Sequence, residues 1–322
     1  MSRYWSRRQA NAMAALERRE KRLKKRLNAF YEAESRRLAD GIFAFYNRYG
    51  DQMKTLDGDV MYNWYGHLMR SMDPDARQML FEDWDGFVQM FPEYRDLAPM
   101  RENLSTLNRL EGLQMSVQLQ LDALAGKVND AITGHLTDVA EDALKSICRD
   151  MGHEYNPEMV RNFVNTAWAD SESFSKRIWD NTQKLADYLT TDISHGLARG
   201  DSYKQLTQNL TERFEKVSRR DAYRLIYTEG TFAYNQATLS VVKEDFDFYK
   251  ISTVGDGKVC EICRGFNDKI FRMEDAEAGV NFPPFHPWCR CSFEVVVPDR
   301  EQWLRDYERK HGRDGSAVLN RV

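Results

Sequence analysis

Two cysteine-containing motifs constrain the fold of this chain more than any other feature of its sequence. Cys260-x-x-Cys263 is followed by His286-x-x-Cys289-x-Cys291, so that four of the five cysteines and one of the six histidines fall within 32 positions. Zn²⁺ prefers four tetrahedral ligands, at about 2.3 Å for sulfur and about 2.0–2.1 Å for nitrogen. The motifs offer five donors for four positions. They predict a closed structural zinc site in which one of Cys289, Cys291 or His286 is a spare donor.

Other uses of these cysteines fit the sequence less well. A disulfide framework needs an oxidising compartment, which nothing in the chain indicates. A redox-active Cys-x-x-Cys opens a helix after a strand and needs no distant His-x-x-Cys-x-Cys motif. The remaining alternative is a small core packed with reduced thiols. Cys148 stands apart from the others and is predicted to be a small buried hydrophobe.

The composition describes a chain that is long enough for two domains. It has 322 residues, of which 42% are hydrophobic and 30% charged, and domains typically take about 100–200 residues. No apolar run approaches the ~20 residues of a membrane helix, and the basic N-terminus lacks the apolar segment of a signal peptide. We therefore expect no membrane partner and synthesis in a reducing cytoplasm.

The charge of the chain is unevenly distributed. Residues 1–48 contain 13 Lys and Arg against 5 Asp and Glu, so this segment carries +8 while the remainder carries −12. A basic segment on an acidic body is typical of a contact with nucleic acid or with an acidic protein surface. A solvated helix face of mixed charge is an equally simple interpretation. The candidate contact residues are Arg18, Arg19, Arg22, Lys24 and Lys25.

The first 199 residues are predicted to be helical with few interruptions. Apolar residues recur at spacings of three, four or seven along residues 10–49, which contain one glycine and no proline. This pattern indicates one long amphipathic helix. We expect a basic long helix over 1–49 and a helical bundle over 50–199, whose second apolar stripe runs from Leu104 to Leu124.

Two capping signals mark the helices that precede the cysteine motifs. Ser202 is followed three positions later by Gln205, which is the pattern of a capping box at a helix start. Ser218 and Asp221 have the same spacing and predict a further helix start.

The character of the sequence changes after Asp247. Residues 248–254 predict a strand, and short strands are also predicted at 269–271 and 291–297. The fold class is therefore a mainly α N-terminal region with long helices, followed by a small α+β domain over 200–298 that contains the zinc knuckle. Residues 299–322 are predicted to form a short helix and a flexible tail.

The order of motifs in residues 253–295 resembles a known family. An aspartate-bearing turn at Asp256 is followed by Cys-x-x-Cys-Arg, by Asn-Asp-Lys, and by Pro-Pro-Phe-His-Pro-Trp-Cys-Arg-Cys. This order is similar to that of phage head-morphogenesis proteins, the Mu F-like minor head proteins of tailed phages and prophages. Upstream, Thr228-Glu229 and Asn235 match a family Arg-Thr-Glu triplet and a following asparagine, but Tyr227 stands in place of the arginine. The likeness of residues 1–200 to this family rests more on their long predicted helices than on any motif.

The resemblance implies a low-copy, non-enzymatic protein of the virion head, present in the host cytoplasm during assembly. Such proteins associate with the portal during procapsid assembly and are implicated in DNA packaging and ejection. The partners implied are the portal protein, capsid or scaffolding proteins, and phage DNA. The basic segment is compatible with a DNA or portal contact.

Two other functions remain as alternatives. A zinc-dependent nucleic-acid-processing enzyme would need an open coordination position and a base, for which Glu294 or Asp256 is available. The motif order differs from that of the zinc deaminases, in which His-x-Glu precedes Pro-Cys-x-x-Cys, and the chain has no His-Glu-x-x-His. A stand-alone nucleic-acid-binding module is the other alternative, although the acidic residues of the zinc segment offset its basic ones.

Overall fold

Helices dominate the computed structural model, which describes residues 3–53, 58–166, 168, 172–199, 201–253 and 259–321. Asp256 lies outside the described residues. The α-helices are α1 (Arg3–Met53), α2 (Gly58–Ser71), α3 (Pro74–Glu82), α4 (Trp84–Met90), α5 (Arg101–Met151), α6 (Glu158–Asn165), α7 (Phe174–Arg199), α8 (Tyr203–Val242), α9 (Glu261–Phe266), α10 (Arg300–His311) and α11 (Ser316–Leu319). Two 3₁₀ segments span Pro92–Met100 and Met273–Asp275. The predicted fold class, long N-terminal helices followed by a small α+β region, is confirmed.

The long helices follow their apolar stripes. Along α1 the buried side chains of Leu16, Leu23, Leu27 and Tyr31 recur at spacings of seven, four and four, which places them on one helix face. In α8 the predicted restart at Ser218 is wrong, because the helix runs without a break from Tyr203 to Val242.

The described residues form two compact units that each combine separate stretches of the chain. The first unit comprises residues 1–28, 126–179 and 219–322, and the second comprises 29–125 and 180–218. The domain boundary between residues 199 and 200 stays a prediction. In the second unit Tyr31 packs edge to face against Phe214, with ring centroids 6.3 Å apart.

The first unit contains a three-stranded antiparallel sheet among its described residues. The strands β1 (Phe248–Ser252), β2 (Ile270–Arg272) and β3 (Ser292–Val296) are arranged in the order β2-β1-β3. β1 leads into the first cysteine motif and β3 begins directly after the second. Because Ser252 pairs with Ser292 in the antiparallel register, the two motifs meet at one end of the sheet.

The N-terminal turns of α1 belong to the core of the first unit. Trp5 is 3% exposed, and its ring centroid lies 6.1 Å from that of Phe293 on β3. Ser252 Oγ donates to Gln9 Oε1 at 3.1 Å. Residues near the start of the chain thus contact both strands that flank the cysteine motifs.

The C-terminal segment also packs on this unit. In α11, Val318 and Leu319 are buried, although the sequence predicts a flexible tail here. α10 is held through Asp245, whose carboxylate is 1% exposed. His153 Nε2 and His311 Nε2 each lie 2.7 Å from one of its oxygens, and Lys310 Nζ lies 3.3 Å away. These contacts join the ends of α5, α8 and α10.

Asp245→Asn is expected to lower the free energy of unfolding at pH 7 by about 1–3 kcal/mol, because it removes charge-assisted hydrogen bonds from a buried site. Burial raises the pKa of Asp245, but the hydrogen bonds from His153 and His311 outweigh it and hold the pKa below its usual value. The carboxylate therefore stabilises the fold above the unfolded pKa of about 3.9, and this stabilisation is lost as the pH falls through the lower folded pKa.

Urea unfolding of the wild type and of Asp245→Asn at a series of pH values checks this expectation. The two stabilities should converge at and below the pH at which the native carboxylate protonates. Asp247→Asn, at an exposed position two residues away, is the control and should unfold like the wild type. A stability difference that stays constant across the acid range would attribute the effect to packing instead.

Candidate metal centre

The first cysteine motif is shaped by the start of a short helix. Cys260 is the residue before α9, and its Sγ accepts a hydrogen bond from the backbone N–H of Cys263 at 3.4 Å. This capping bond turns both thiols toward the same side. Cys263 is 3% exposed and Cys260 is half-buried.

The second motif forms a tight turn. The backbone N–H of Cys289 donates to the carbonyl oxygen of His286 at 3.1 Å, and Trp288 between them has φ of 65°. A left-handed conformation is an outlier for a bulky side chain. It leaves the Trp288 ring 45% exposed, in contact with Tyr227 at a centroid distance of 5.5 Å, while Cys289 turns inward.

The structure brings all five predicted donors together in two overlapping triplets. One consists of Cys260, Cys263 and His286, and the other of Cys263, Cys289 and Cys291, with donor atoms within 4.8 Å of one another in each. Cys263 Sγ lies 3.0 Å from His286 Nε2 and 3.7 Å from Cys289 Sγ. The cluster could hold a metal ion. It does not select which of the five donors is the spare.

The chemistry of the donors fits a tetrahedral zinc ion. Two sulfur ligands about 2.3 Å from a tetrahedral zinc lie roughly 3.7 Å apart, which matches the separation of Cys263 and Cys289 Sγ. His286 Nδ1 lies 2.7 Å from the carbonyl oxygen of Pro287. Because a carbonyl oxygen only accepts hydrogen bonds, the proton belongs on Nδ1, and Nε2 presents its lone pair to the cysteines.

The electrostatics of the cluster favour thiolate formation at specific positions. A hydrogen bond from the Cys291 thiol lowers the pKa of Cys289, against the effect of burial. The bond between them raises the pKa of Cys291 for the same reason. At Cys260 burial raises the pKa, but hydrogen bonds from Cys263 and the proximity of His286 outweigh it and lower the pKa overall. Thiols that share protons in this way can exchange them for a divalent cation.

Helix α8 contacts the second motif through residues whose role the sequence alone left unassigned. Thr228 Oγ1 accepts a hydrogen bond from the backbone N–H of Trp288 at 3.1 Å. Asn235 Nδ2 donates to the carbonyl oxygen of Cys291 at 3.1 Å, and Ser292 Oγ donates to Asn235 Oδ1 at 3.0 Å. In the sequence, Thr228 and Asn235 stand out only as polar residues on a helix face that is otherwise apolar. The sequence does not show what they contact.

Glu229 does not belong to the metal cluster. Its side chain is 4% exposed, and its carboxylate accepts from Trp168 Nε1 at 2.8 Å and from Arg177 Nη1 at 2.6 Å. Glu294, the available base of the enzyme alternative, is 2% exposed and lies opposite Lys250 on β1. Lys250 Nζ is 3.8 Å from its carboxylate.

The five basic residues predicted to contact a partner divide into two groups. Arg18, Arg22 and Lys25 are exposed and follow one face of α1 at spacings of four and three. Arg19 instead pairs with Asp138 at 3.1 Å and with Asp142. Lys24 pairs with Glu20 at 3.4 Å and lies over the Tyr223 ring at 5.0 Å. The side chains of Arg18, Arg22 and Lys25 are therefore accessible to a partner.

Comparison with known proteins assigns the segment that contains the cluster. Residues 187–294 match the family model described as Phage Mu protein F like protein. These residues form a Mu F-like domain. The resemblance predicted from the cysteine motifs is confirmed for this segment, although the match begins within α7 rather than at residue 200. No curated protein and no solved structure matches the chain.

The Mu F-like domain covers about a third of the chain. It includes α8, both cysteine motifs and most of β3, so the helix that carries Thr228 and Asn235 belongs to the same matched segment as the candidate metal ligands. The match supports a relation to phage head morphogenesis, and with it a virion protein that contacts other head proteins. Among the helices that the structure describes, none has the length and apolar character needed to cross a membrane.

Proposed function

We propose that the chain is a phage minor head protein that acts in procapsid assembly at the portal vertex and in DNA packaging and ejection, without catalysing a reaction. The observation that carries this proposal is the Mu F-like domain over residues 187–294. Its partners would be the portal protein and capsid or scaffolding proteins, with phage DNA as a further contact. It would act from the virion head near the portal, after assembly in the host cytoplasm.

Within this function the cysteine cluster holds a structural Zn²⁺. Cys260 and Cys263 would supply two ligands, and two of Cys289, Cys291 and His286 the others. The bound ion would add its binding energy to the folding energy of a module whose sheet has only short strands. A zinc-dependent nucleic-acid-processing enzyme would need an open coordination position. Five donors around one site argue against such a position, and so does the pairing of Glu294 with Lys250.

The assembly role is tested by incorporation into heads. An epitope-tagged chain is expressed in cells that produce the phage or prophage particle encoding it, and purified procapsids and heads are analysed by quantitative mass spectrometry. We expect the chain in portal-containing heads, in few copies relative to the major capsid protein. Its absence from purified heads would contradict the proposal. The metal is tested by elemental analysis of the purified chain, with an expected stoichiometry of about one zinc per chain.

The exposed face of α1 provides a test of the nucleic-acid contact. The triple variant Arg18→Glu, Arg22→Glu, Lys25→Glu is expected to weaken binding to DNA and to reduce the dependence of binding on salt, by up to about 0.9 units of logarithmic slope for each lost phosphate contact. Fluorescence anisotropy with a DNA duplex at several salt concentrations measures both quantities.

The control for this triple variant changes the charge by the same amount elsewhere. Arg161→Glu, Arg305→Glu, Arg309→Glu replaces three exposed arginines on α6 and α10 and should reduce affinity less. Equal losses in the two triple variants would show that net charge, and not the α1 face, governs binding. Wild-type protein that does not bind DNA at low salt would leave the portal protein as the partner of this face.

A further inference from the structure

The structure assigns Thr228 and Asn235 of α8 as positioning residues of the metal centre, which hold the backbone of the second cysteine motif so that its thiols stay close to Cys263. This inference rests on the proposed structural metal. The two residues are seven positions apart, or about two helical turns, and therefore share one face of α8. They are 5% and 0% exposed, and buried polar groups at such positions are retained only when they are hydrogen-bonded.

Thr228 acts on the residue that precedes Cys289. Its hydroxyl donates to the carbonyl oxygen of Arg224 at 2.7 Å, which leaves the oxygen lone pairs free to accept from the N–H of Trp288 at 3.1 Å. The left-handed backbone of Trp288 costs of order 1–3 kcal/mol. The bond to Thr228 offsets part of this cost and fixes the turn that directs Cys289 toward Cys263.

Asn235 acts on the other side of Cys289. Its amide donates to the carbonyl oxygen of Cys291 and accepts from Ser292 Oγ, so it fixes both the fourth cysteine of the cluster and the first residue of β3. The second motif is thereby anchored to α8 at two points, on either side of Cys289. Residues of this kind, which orient ligands without touching the metal, typically change metal affinity by about 10–100-fold when they are replaced.

The chain offers a matched set of substitutions on the same helix. Thr228→Val has nearly the same shape but cannot accept the Trp288 N–H, while Thr228→Ser keeps the hydroxyl. Thr231 is 0% exposed, and its hydroxyl donates to the carbonyl oxygen of Tyr227 within the helix. Thr231→Val therefore reproduces the loss of a buried hydroxyl and of an intrahelical bond without changing a contact to the second motif.

Co²⁺ is the probe, because its thiolate charge-transfer and d–d absorption report both affinity and ligand geometry. Competition with a chelator gives the dissociation constant of each variant, and far-UV circular dichroism shows that the helices are intact. Thr228→Val is expected to bind Co²⁺ about 10–100-fold more weakly than wild type, with a changed d–d spectrum. Thr228→Ser and Thr231→Val are expected to bind like wild type. Asn235→Asp, which replaces the donor to the Cys291 carbonyl oxygen by a buried carboxylate oxygen, should also weaken binding.

The outcomes separate this inference from the proposed metal site. If the wild-type chain binds neither Co²⁺ nor Zn²⁺, the structural metal itself is overturned, and the positioning role with it. If wild type binds and Thr228→Val binds equally well, the metal site stands and the positioning role is overturned. If Thr231→Val loses as much Co²⁺ affinity as Thr228→Val does, the positioning role is also overturned. The effect would then come from the loss of a buried hydroxyl in α8 and not from the contact to Trp288.

Discussion

Cys263→Ser is expected to abolish metal binding, reducing the metal content of the purified chain from about one ion to none. Each of the two triplets contains Cys263, so the four donors that remain without it include no three that lie within 4.8 Å of one another. Structural zinc contributes an apparent free energy of about 10–16 kcal/mol to small zinc-binding peptides. We therefore expect residues 259–291 to lose their fixed structure in this variant.

The loss should be local to the cysteine motifs. β1 and β3 also pack into the core around Tyr249 and Phe293, which are 0% and 2% exposed, and that core does not depend on the metal. Limited proteolysis should therefore cleave the motifs of Cys263→Ser rapidly, while the long helices keep their circular dichroism. The control is Cys148→Ala, which removes the buried cysteine of α5 outside the cluster and should keep its metal.

The same measurement identifies the spare donor. Loss of metal in only one of Cys289→Ser and Cys291→Ser identifies the other thiol as the spare donor, and loss in both identifies His286 as the spare. A Cys263→Ser protein that retains one metal ion per chain, with resistant motifs, would contradict the closed site. A wild-type chain that carries no metal would favour a core of reduced thiols.

Arg177→Met is expected to lower the free energy of unfolding by about 3–5 kcal/mol, because it leaves the buried carboxylate of Glu229 without its charged partner. Burial raises the pKa of Glu229, and the bonds from Trp168 and Arg177 oppose that effect. Removal of Arg177 raises the pKa of Glu229 further. The fold is then destabilised either by an uncompensated buried charge or by the free energy of protonating the carboxylate at neutral pH.

A double-mutant cycle separates the pair from the rest of the site. Arg177→Met combined with Glu229→Gln should be more stable than Arg177→Met alone, since no buried charge remains. Lys176→Met is the control: its neighbouring pair with Glu172 is exposed and should contribute less than about 1 kcal/mol. Urea unfolding at pH 7 gives all the values. Arg177→Met and Lys176→Met of equal stability would show that the buried pair contributes no more than a surface one.

The sequence predicted those features that depend on the spacing of residues within a short segment. The continuous apolar stripe of residues 10–49 predicted α1, and the spacing of Cys260, Cys263, His286, Cys289 and Cys291 predicted their convergence, because both depend on short-range geometry. The restart at Ser218 failed for the opposite reason. Its capping signal is local, whereas the buried side chains of Phe214, Ala222 and Leu225 continue one helix face through it, and packing outweighs a cap of about 1 kcal/mol.

The contacts that the sequence could not predict join distant segments. Thr228 and Trp288 are 60 positions apart, and no periodicity shows that the second motif would approach α8 at that turn. Distant contacts also decide which basic residues of α1 are exposed. Arg19 is paired with carboxylates that follow more than 100 positions later in the sequence. The placement of α5 and of α8 reveals which cations of the run remain exposed.

The composition of the first unit has a consequence for the order of events during translation. Residues 3–28 leave the ribosome before the other segments of the first unit, but Trp5 and Gln9 contact Phe293 and Ser252, which are made more than 240 residues later. At about 5–20 residues per second, the first helix waits roughly ten seconds or more for these partners. A nascent chain that pauses before residue 252 therefore leaves Trp5 and Gln9 without these partners, and chaperones would find an exposed aromatic side chain there.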